Sequence, residues 1–325
     1  MSIVTKPGIG TASTLPAEPR TNNSFQQAAL LFEYSSAADP IKSGSTPGIP
    51  YAEFTSELYA SGPSRIIPLD LSQALHCAGP ATGPSLAASF IRLEAGHELE
   101  TRVNATSELF YVIQGKGTST IGDHQIAWSQ GDFFTLPGGA ALHRGLETSA
   151  LYWVNDQPLL EYLGVQRKQA RFAPAHYTRS ELAKALQHAA DDPRAATRSR
   201  ISLILGNPDC MQTKTVTHVL WAMYGLVEPH TRQLPHRHQS VAVDLIIDAK
   251  PGCYTLVGTE LNKDGNIKNP TRVDWKSGSV FVTPPGYWHE HWNESNERAY
   301  LTPIQDAGLH TYLRTLDITF YKEDK

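Results

Sequence analysis

The sequence predicts an all-β protein of two similar barrels joined by a short helical bridge. Short apolar or alternating runs follow one another between turn residues, which is typical of antiparallel sandwiches and barrels. A strand that ends in a Pro-Gly turn occurs twice, as GDFFTLPGG at Gly131–Gly139 and as GSVFVTPPG at Gly278–Gly286. In both copies the first glycine lies six residues before the proline. This internal similarity predicts a duplicated unit.

The first half of the chain is predicted to hold a lead-in and the first barrel. Residues 1–25 are rich in Ser, Thr, Pro and Gly and predict a loose arm, and a mixed lead-in continues to residue 85. The first barrel is expected over residues 86–160. Its strand candidates are Ala88–Leu93, Glu108–Ile113, Gly117–Ile121, Gln125–Trp128, Asp132–Leu136 and Ala150–Val154.

Residues 161–215 break this pattern and are expected to form the helical linker. Tyr177-Thr178-Arg179-Ser180 followed by ELAKALQHAADD indicates a capped helix. The segment DDPRAATRSR, which ends at Arg200, is expected to be an exposed connector. The β pattern then resumes, and residues 216–325 are predicted to form the second barrel.

Composition restricts the classes of partner. The chain has 325 residues, a net charge of −4 and no basic stripe, which argues against nucleic acid as a partner. No apolar run approaches the roughly 20 residues that span a bilayer, so no membrane segment is expected. The beginning of the chain lacks an apolar signal core, and three widely spaced cysteines suit a reducing compartment. We therefore expect a cytoplasmic protein.

Three histidines in the second half form a candidate metal site. His236 and His238 are two residues apart, so on a strand both side chains point to the same face. His289 follows the Pro-Pro-Gly turn, where a strand from elsewhere in the barrel can bring it to the same point. Three imidazoles leave part of the coordination sphere of a metal open, as a catalytic ion requires.

These residues also carry a family resemblance. The segment Gly278–Asn293 reads Gly, five residues, Pro, one residue, Gly, two residues, His, three residues, Asn, which is the second cupin motif. His236-Arg237-His238 supplies the His-x-His of the first motif, and Trp288-His289-Glu290-His291 repeats a Trp-His-x-His pattern. The chain therefore resembles the bicupins of the gentisate/salicylate 1,2-dioxygenase group.

The resemblance implies a fold, a cofactor and a reaction. It implies two double-stranded β-helix, or jelly-roll, barrels, with one Fe(II) per chain and O2 as co-substrate. The expected reaction is ring cleavage of a hydroxylated aromatic substrate, phenolic or aminophenolic, by a homo-oligomer that is a dimer or a tetramer. Three alternatives stay open: a metal-dependent isomerase, lyase or hydrolase without O2 chemistry, a cupin oxygenase of a non-aromatic molecule, and a binding or storage cupin.

The chain departs from the family pattern in its metal positions. The glutamate that many cupins carry four or five residues after His-x-His is replaced by Ala242 and Val243. In the first unit, alignment of the motifs places Arg102, Asn104 and Leu142 at the three ligand positions. His143 is then one residue out of step and is expected to point to the opposite face. We therefore predict a metal-free first barrel that serves as packing and oligomer surface, although the resembled group holds its metal there.

Five residues are candidates for contact with a substrate. The resemblance implies proton transfer or hydrogen bonding for His291, because histidine titrates near working pH. Asp244 stands where the family often has a carboxylate-binding arginine. It favours a substrate with a hydroxyl, amino or cationic group, unless it is paired with an arginine in the core. The remaining candidate substrate-binding residues are Gln239, Trp288 and Tyr224.

Overall fold

The computed structural model describes residues 29–321, so the predicted arm at 1–25 lies outside the described residues. Short helices flank the strands. The helices are α1 (Tyr34–Ala37), α2 (Glu57–Ala60), α3 (Ser72–Leu75), α4 (Gln157–Leu163), α5 (Arg179–Asp191) and α6 (Ala307–Leu313). Short 3-10 turns occur at Ala195–Thr197 and Pro208–Cys210.

Antiparallel strands make up the rest of the ordered framework. The strands that precede the bridge are β1 (Ala52–Phe54), β2 (Arg65–Pro68), β3 (Ala87–Leu93), β4 (Glu98–Val103), β5 (Glu108–Gln114), β6 (Lys116–Ile121), β7 (His124–Ser129), β8 (Phe133–Leu136), β9 (Gly139–Gly145) and β10 (Ser149–Asn155). The bridge contains β11 (Ala175–Tyr177) and β12 (Ile201–Ile204). The strands that follow are β13 (Trp221–Val227), β14 (Thr231–Arg237), β15 (Ala242–Asp248), β16 (Cys253–Gly258), β17 (Thr271–Asp274), β18 (Val280–Thr283), β19 (Trp288–Asn293), β20 (Ala299–Gln305) and β21 (Thr319–Phe320).

These strands form two barrels of two sheets each, which confirms the predicted all-β bicupin fold. The first barrel pairs a six-stranded sheet, ordered β11-β8-β5-β10-β3-β2, with a four-stranded sheet, ordered β4-β9-β6-β7. The second pairs a six-stranded sheet, ordered β1-β18-β15-β20-β13-β12, with a five-stranded sheet, ordered β17-β16-β19-β14-β21. The lead-in thus contributes β2 to the first barrel and β1 to the second, and the bridge contributes β11 to the first and β12 to the second. The boundaries at 85, 160 and 215 stay a proposal.

The two six-stranded sheets pack against each other and bury one apolar core between the barrels. Phe90 and Tyr152 of the first barrel belong to this core together with Val243 and Ile304 of the second. The Tyr152 hydroxyl donates to the Val243 carbonyl across the interface at 3.3 Å. Each barrel also has its own interior on the opposite face of its six-stranded sheet. Successive side chains along one strand of a six-stranded sheet therefore face alternately the core between the barrels and the interior of their own barrel.

The interior of the first barrel is filled with aromatic rings. Phe110 stacks on Phe134 with ring centroids 4.6 Å apart and on Trp153 at 5.8 Å. Trp128 is buried in the same cluster. Within the described residues, no helix is both long enough and apolar enough to cross a membrane.

Candidate metal centre

The three predicted ligands meet in the interior of the second barrel. His236 lies on β14 and His289 on β19, and these two residues are direct partners in the antiparallel pairing of the strands. His238 follows the end of β14. One ligand nitrogen of each histidine lies within 4.8 Å of those of the other two. Since metal–nitrogen bonds are about 2.1 Å long, side-chain shifts of no more than about an ångström would bring all three onto one ion.

Backbone carbonyls orient the three rings. Nδ1 of His236 lies 3.2 Å from the carbonyl of His289, and Nδ1 of His238 lies 2.9 Å from the carbonyl of Ser240. Nδ1 of His289 lies 3.0 Å from the carbonyl of Tyr287. A carbonyl only accepts, so Nδ1 of His238 and Nδ1 of His289 carry the proton and their Nε2 atoms keep the lone pair. At His236 the carbonyl favours the same tautomer, but the Arg200 guanidinium, which only donates, also contacts Nδ1. Nδ1–H with a free Nε2 is the tautomer that metal-bound histidines adopt when their second nitrogen is anchored.

The site fits a metal ion in two further respects. Nε2 of His238 is buried and has no hydrogen-bond partner among the described residues, which is costly unless a ligand occupies the position. Burial also lowers the pKa of His238 to about 4 and holds the pKa values of His236 and His289 well below the usual range. The rings are therefore neutral at physiological pH, as metal ligation requires.

A small cavity of about 20 Å³ adjoins the histidines. Six strands contribute residues to its wall, as expected for the interior face of a barrel. On β14 a register shift between Gln233 and His236 lets both residues face the cavity although they are three positions apart. The lining residues are Arg200, Ser202, Met223, Gln233, His236, Asp244, His289, His291, Leu301, Pro303 and Gln305. The cavity is large enough for an ion or for one water molecule, since a water needs at least about 10–15 Å³.

His291 lies beside the three ligand candidates. It is 4% exposed, and its ring centroid lies 5.9 Å from that of His289 and 6.3 Å from that of His236. Its Nδ1 faces the Thr255 hydroxyl at 2.8 Å, so its anchor differs from the carbonyls of the other three. Burial lowers its pKa to about 3. The structure thus brings the predicted catalytic residue to the candidate centre as a neutral ring.

Asp244 also faces the cavity. The chain leaves one sheet after β14 and enters the other at β15, and this change of sheet carries Asp244 back towards the histidines. The Thr283 hydroxyl donates to Asp244 Oδ2 at 2.8 Å, while Oδ1 is buried without a partner in the described part of the chain. Burial raises the pKa of this carboxyl to about 7. No arginine pairs with it among residues 29–321, so the core ion pair considered above is absent there.

The other three predicted substrate residues lie away from the cavity. Tyr224 follows Met223 on β13 and therefore has the opposite parity, so it faces the first barrel and contacts the ring of Phe133. Trp288 precedes His289 and points outwards, where the Arg237 guanidinium lies 5.1 Å from its ring centroid. Correcting the predictions for Tyr224 and Trp288, we assign neither to the cavity, because neighbouring strand residues face opposite sides.

Gln239 needs the same correction. Its side-chain oxygen accepts a hydrogen bond from the backbone N–H of Asp317 at 2.8 Å. It thereby fastens the segment that leads into β21 and is absent from the cavity wall.

Arg200 is a cavity residue that sequence reasoning missed. The connector prediction placed it in solvent, but its side chain reaches the histidines from just before β12. One Nη2 contacts Nδ1 of His236 and lies 3.3 Å from the Leu234 carbonyl, and Cζ lies 5.6 Å from the centroid of Phe320. Burial lowers its pKa to about 9, so it remains a cation at neutral pH. No carboxylate pairs with it in the described part of the chain.

The equivalent region of the first barrel has a different register from the one predicted. His143 pairs with Ser119 across two strands, as His291 pairs with Thr255. His143 is fully buried, whereas Leu142 is 43% exposed. The expectation that His143 points outwards is therefore wrong. The segment between Pro137 and His143 is one residue shorter than the matching segment between Pro284 and His291. Ala141, two residues before His143, therefore takes the position of His289.

Comparisons with known proteins agree with this architecture. The cupin domain family matches residues 89–153, within the first barrel. A salicylate 1,2-dioxygenase from Pseudaminobacter salicylatoxidans superposes with a TM-score of 0.69 at 14% identity, covering 93% of this chain and 99% of that one. At this identity the likeness shows the fold alone.

Sequence relatives match parts of the chain. Gentisate 1,2 dioxygenase 1 of Aquipseudomonas alcaligenes is 28% identical over 170 residues, which are 51% of this chain and 46% of the relative. The 5-aminosalicylate 1,2-dioxygenase of a Comamonas species is 33% identical over 72 residues, 21% of this chain and 19% of the relative. The chain thus spans less than half the length of these curated relatives.

Proposed function

Because the chain is a bicupin similar to the gentisate and salicylate dioxygenases, we propose that it is an iron(II)-dependent ring-cleaving dioxygenase of hydroxylated aromatic compounds. The observation that carries the proposal is the meeting of three buried histidines, His236, His238 and His289, each of which offers one ligand nitrogen and has Nδ1 beside a carbonyl. Iron(II) held by three neutral ligands would supply open positions for the oxygens of a substrate and for O2.

The substrate we propose carries an anionic group for Arg200. Its guanidinium faces the cavity without a carboxylate partner among the described residues, and an arginine binds a carboxylate through two parallel hydrogen bonds. The arginine absent from position 244 is thus replaced by one from the bridge. The relatives are named for gentisate and 5-aminosalicylate, which both carry a carboxylate and a hydroxyl group.

Arg200 must move before a ring can enter. The cavity of about 20 Å³ is far too small for a benzene ring, and the flexible Arg200 side chain fills the approach to His236. A guanidinium only donates, so its contact with Nδ1 of His236 competes with the proton that this nitrogen holds when Nε2 binds a cation. We expect ligation through Nε2 to displace Arg200 from His236, which would leave its charge for the incoming anion.

Asp244 would face the opposite end of the substrate. Its free Oδ1 accepts from a hydroxyl or amino group when ionised and donates when protonated, and a pKa of about 7 makes both forms accessible. An aromatic acid that also carries a hydroxyl or amino group, as gentisate and 5-aminosalicylate do, would meet both residues.

Oxygen uptake tests this function. Protein prepared without oxygen and loaded with Fe(II) is mixed with gentisate, 5-aminosalicylate, hydroquinone and 4-aminophenol, and O2 consumption and ring-cleaved product are measured. We expect uptake and product in equal amounts for at least one of these, and none for His236→Ala. Turnover without oxygen, or full activity with zinc, would instead support a metal-dependent lyase, isomerase or hydrolase.

Arg200→Gln tests the substrate class separately. A lost charge-assisted hydrogen bond of about 1.5–3 kcal/mol corresponds to a roughly 10- to 100-fold fall in kcat/KM for gentisate. Hydroquinone lacks the carboxylate, so its kcat/KM should be unchanged. Arg198→Gln is the matched control, because Arg198 lies on the same connector but pairs with Asp192 at the surface. Equal losses for both substrates would place Arg200 outside carboxylate recognition.

A further inference from the structure

A buried chain of three side chains ends at His291. The indole Nε1–H of Trp275 donates to the Thr255 hydroxyl oxygen at 2.8 Å. The same oxygen lies 2.8 Å from Nδ1 of His291. Trp275, Thr255 and His291 are all buried, and no other partner of the Thr255 hydroxyl occurs in the described part of the chain.

The direction of these hydrogen bonds follows from the chemistry of the groups. An indole nitrogen is only a donor, so the Thr255 oxygen accepts from Trp275. The hydroxyl proton of Thr255 then has one available acceptor, Nδ1 of His291. If Nδ1 carried the ring proton instead, the Thr255 hydroxyl would be a buried donor without an acceptor, which folded proteins avoid. Nδ1 of His291 is therefore the acceptor, and its ring proton lies on Nε2.

His291 is thus the opposite tautomer to His238 and His289, which hold the proton on Nδ1 against a carbonyl. At His236 the carbonyl of His289 favours Nδ1–H, whereas the Arg200 guanidinium at the same nitrogen opposes it. His291 lines the same cavity, but its anchor is a hydroxyl whose proton is directed at the ring. The anchors thus make His238 and His289 electron-pair donors and His291 a hydrogen-bond donor.

We propose that Trp275 and Thr255 are positioning residues that hold His291 as an Nε2–H donor facing the cavity, which excludes it as a fourth metal ligand. In this state His291 donates a hydrogen bond to an anionic oxygen of a bound molecule. The identity of that oxygen, on the aromatic substrate or on reduced O2, rests on the proposed function, but the tautomer does not.

The first barrel contains the same arrangement. Trp128 donates to the Ser119 hydroxyl at 2.9 Å, and that hydroxyl lies 2.7 Å from Nδ1 of His143. There the chain is closed, because Nε2 of His143 lies 2.9 Å from the Thr101 hydroxyl. In the second barrel, no protein partner of Nε2 of His291 occurs in the described residues, so the donor remains available. Ser119 makes the same two contacts as Thr255, so a serine hydroxyl is sufficient for this arrangement.

Nitrogen NMR tests the tautomer directly. Full-length protein labelled with 15N-histidine is studied metal-free and with zinc, which is diamagnetic, and the His291 signals are assigned by their loss in His291→Asn. We expect Nε2–H for His291 and Nδ1–H for His238 and His289 in both forms, and Nδ1–H for His236 once zinc is bound. A wild-type protein with Nδ1–H on His291 would overturn the proposal, even if it proved to be an active dioxygenase.

Variants separate positioning from a structural role. Thr255→Val and Trp275→Phe should weaken the preference of His291 for Nε2–H, seen as a move of both ring-nitrogen signals, and Thr255→Ser should restore the wild-type pattern. In the iron-loaded enzyme we expect kcat to fall about 10- to 100-fold for Thr255→Val, with KM changed less, and to recover in Thr255→Ser.

Ser119→Ala and Trp128→Phe are the matched controls in the first barrel. They should lower the melting temperature by a similar amount while leaving the His291 signals and kcat unchanged. If Thr255→Val alters only the melting temperature, as Ser119→Ala does, Thr255 is structural and the proposal fails. If no variant or wild type turns over any aromatic compound but the NMR pattern holds, the proposed function fails and the positioning role stands.

Discussion

The two barrels share a framework and differ in what points inwards. In the first, Phe110 on β5 pairs with Phe134 and Trp153 on the flanking strands, and the three rings stack. In the second, Asp244 on β15 pairs with Phe281 and Pro303 in the same arrangement. A carboxyl and a proline thus occupy the places of two large aromatic rings.

The comparison shows that a few positions determine whether a barrel interior is a packed core or a candidate metal site. Ala141 lies where His289 lies in the second barrel, while the buried Trp–hydroxyl–His chains that follow are alike. Closely packed apolar and aromatic side chains fill the interior of the first barrel and leave no room for an ion. Smaller and polar side chains leave room for an ion in the second.

The largest expected effect is on metal content. His289→Ala should reduce bound metal from one equivalent to below about 0.1, measured by elemental analysis after loading with Fe(II) or zinc, because two remaining imidazoles bind far more weakly. His143→Ala in the first barrel should keep the full equivalent while losing about 2 kcal/mol of stability, since it leaves a cavity and unpaired hydroxyls. Metal loss in His143→Ala would break the comparison.

A second prediction concerns the buried carboxyl of the first barrel. Glu108 is fully buried, it accepts from Trp153 Nε1 at 2.9 Å, and its other oxygen has no partner in the described residues. Burial raises its pKa to about 8. Between pH 4.5 and 8 the folded state binds more protons at this group than the unfolded state. The free energy of unfolding therefore falls as pH rises through this range.

Glu108→Gln keeps the acceptor for Trp153 and removes the titration. Chemical denaturation between pH 5 and 9 should show a variant that is more stable than wild type above pH 8 by a few kcal/mol, with little difference near pH 5. A constant difference across this range would mean that Glu108 is ionised throughout.

The smallest expected effect lies in the bridge. The Thr178 hydroxyl accepts from the N–H of Glu181 at 3.3 Å, and the Glu181 side chain reaches back to the Thr178 N–H, which forms a capping box at the start of α5. Thr178→Ala should cost about 1 kcal/mol in urea denaturation and leave metal content unchanged. A change in metal content would show that the start of α5 influences the metal site.

The sequence was sufficient to predict that the three histidines meet and insufficient to predict the rest of the cavity. His236, His238 and His289 were found because strand parity and motif spacing are local properties. Arg200 was missed because a polar connector has no period, and only the folded chain shows where it returns.

The errors at Tyr224, Trp288 and Leu142 have one physical origin. Tyr224 and Trp288 are chemically suited to a pocket, but each is one residue away from a cavity-facing neighbour on its strand. The ungapped comparison that placed Leu142 inside ignored a change in turn length, which reverses every following side chain.

The strand Ala52–Phe54 has a consequence for the order of assembly. It pairs with Val280–Val282, more than two hundred positions further along, so the second barrel cannot close its sheet edge until nearly the whole polypeptide is available. Such distant pairings slow folding, because a large loop must close before any contact rewards it. A ribosome-bound fragment that stops before β18 would display this short strand unpaired, and a separately expressed second barrel would have to attract a substitute neighbour at the vacated edge.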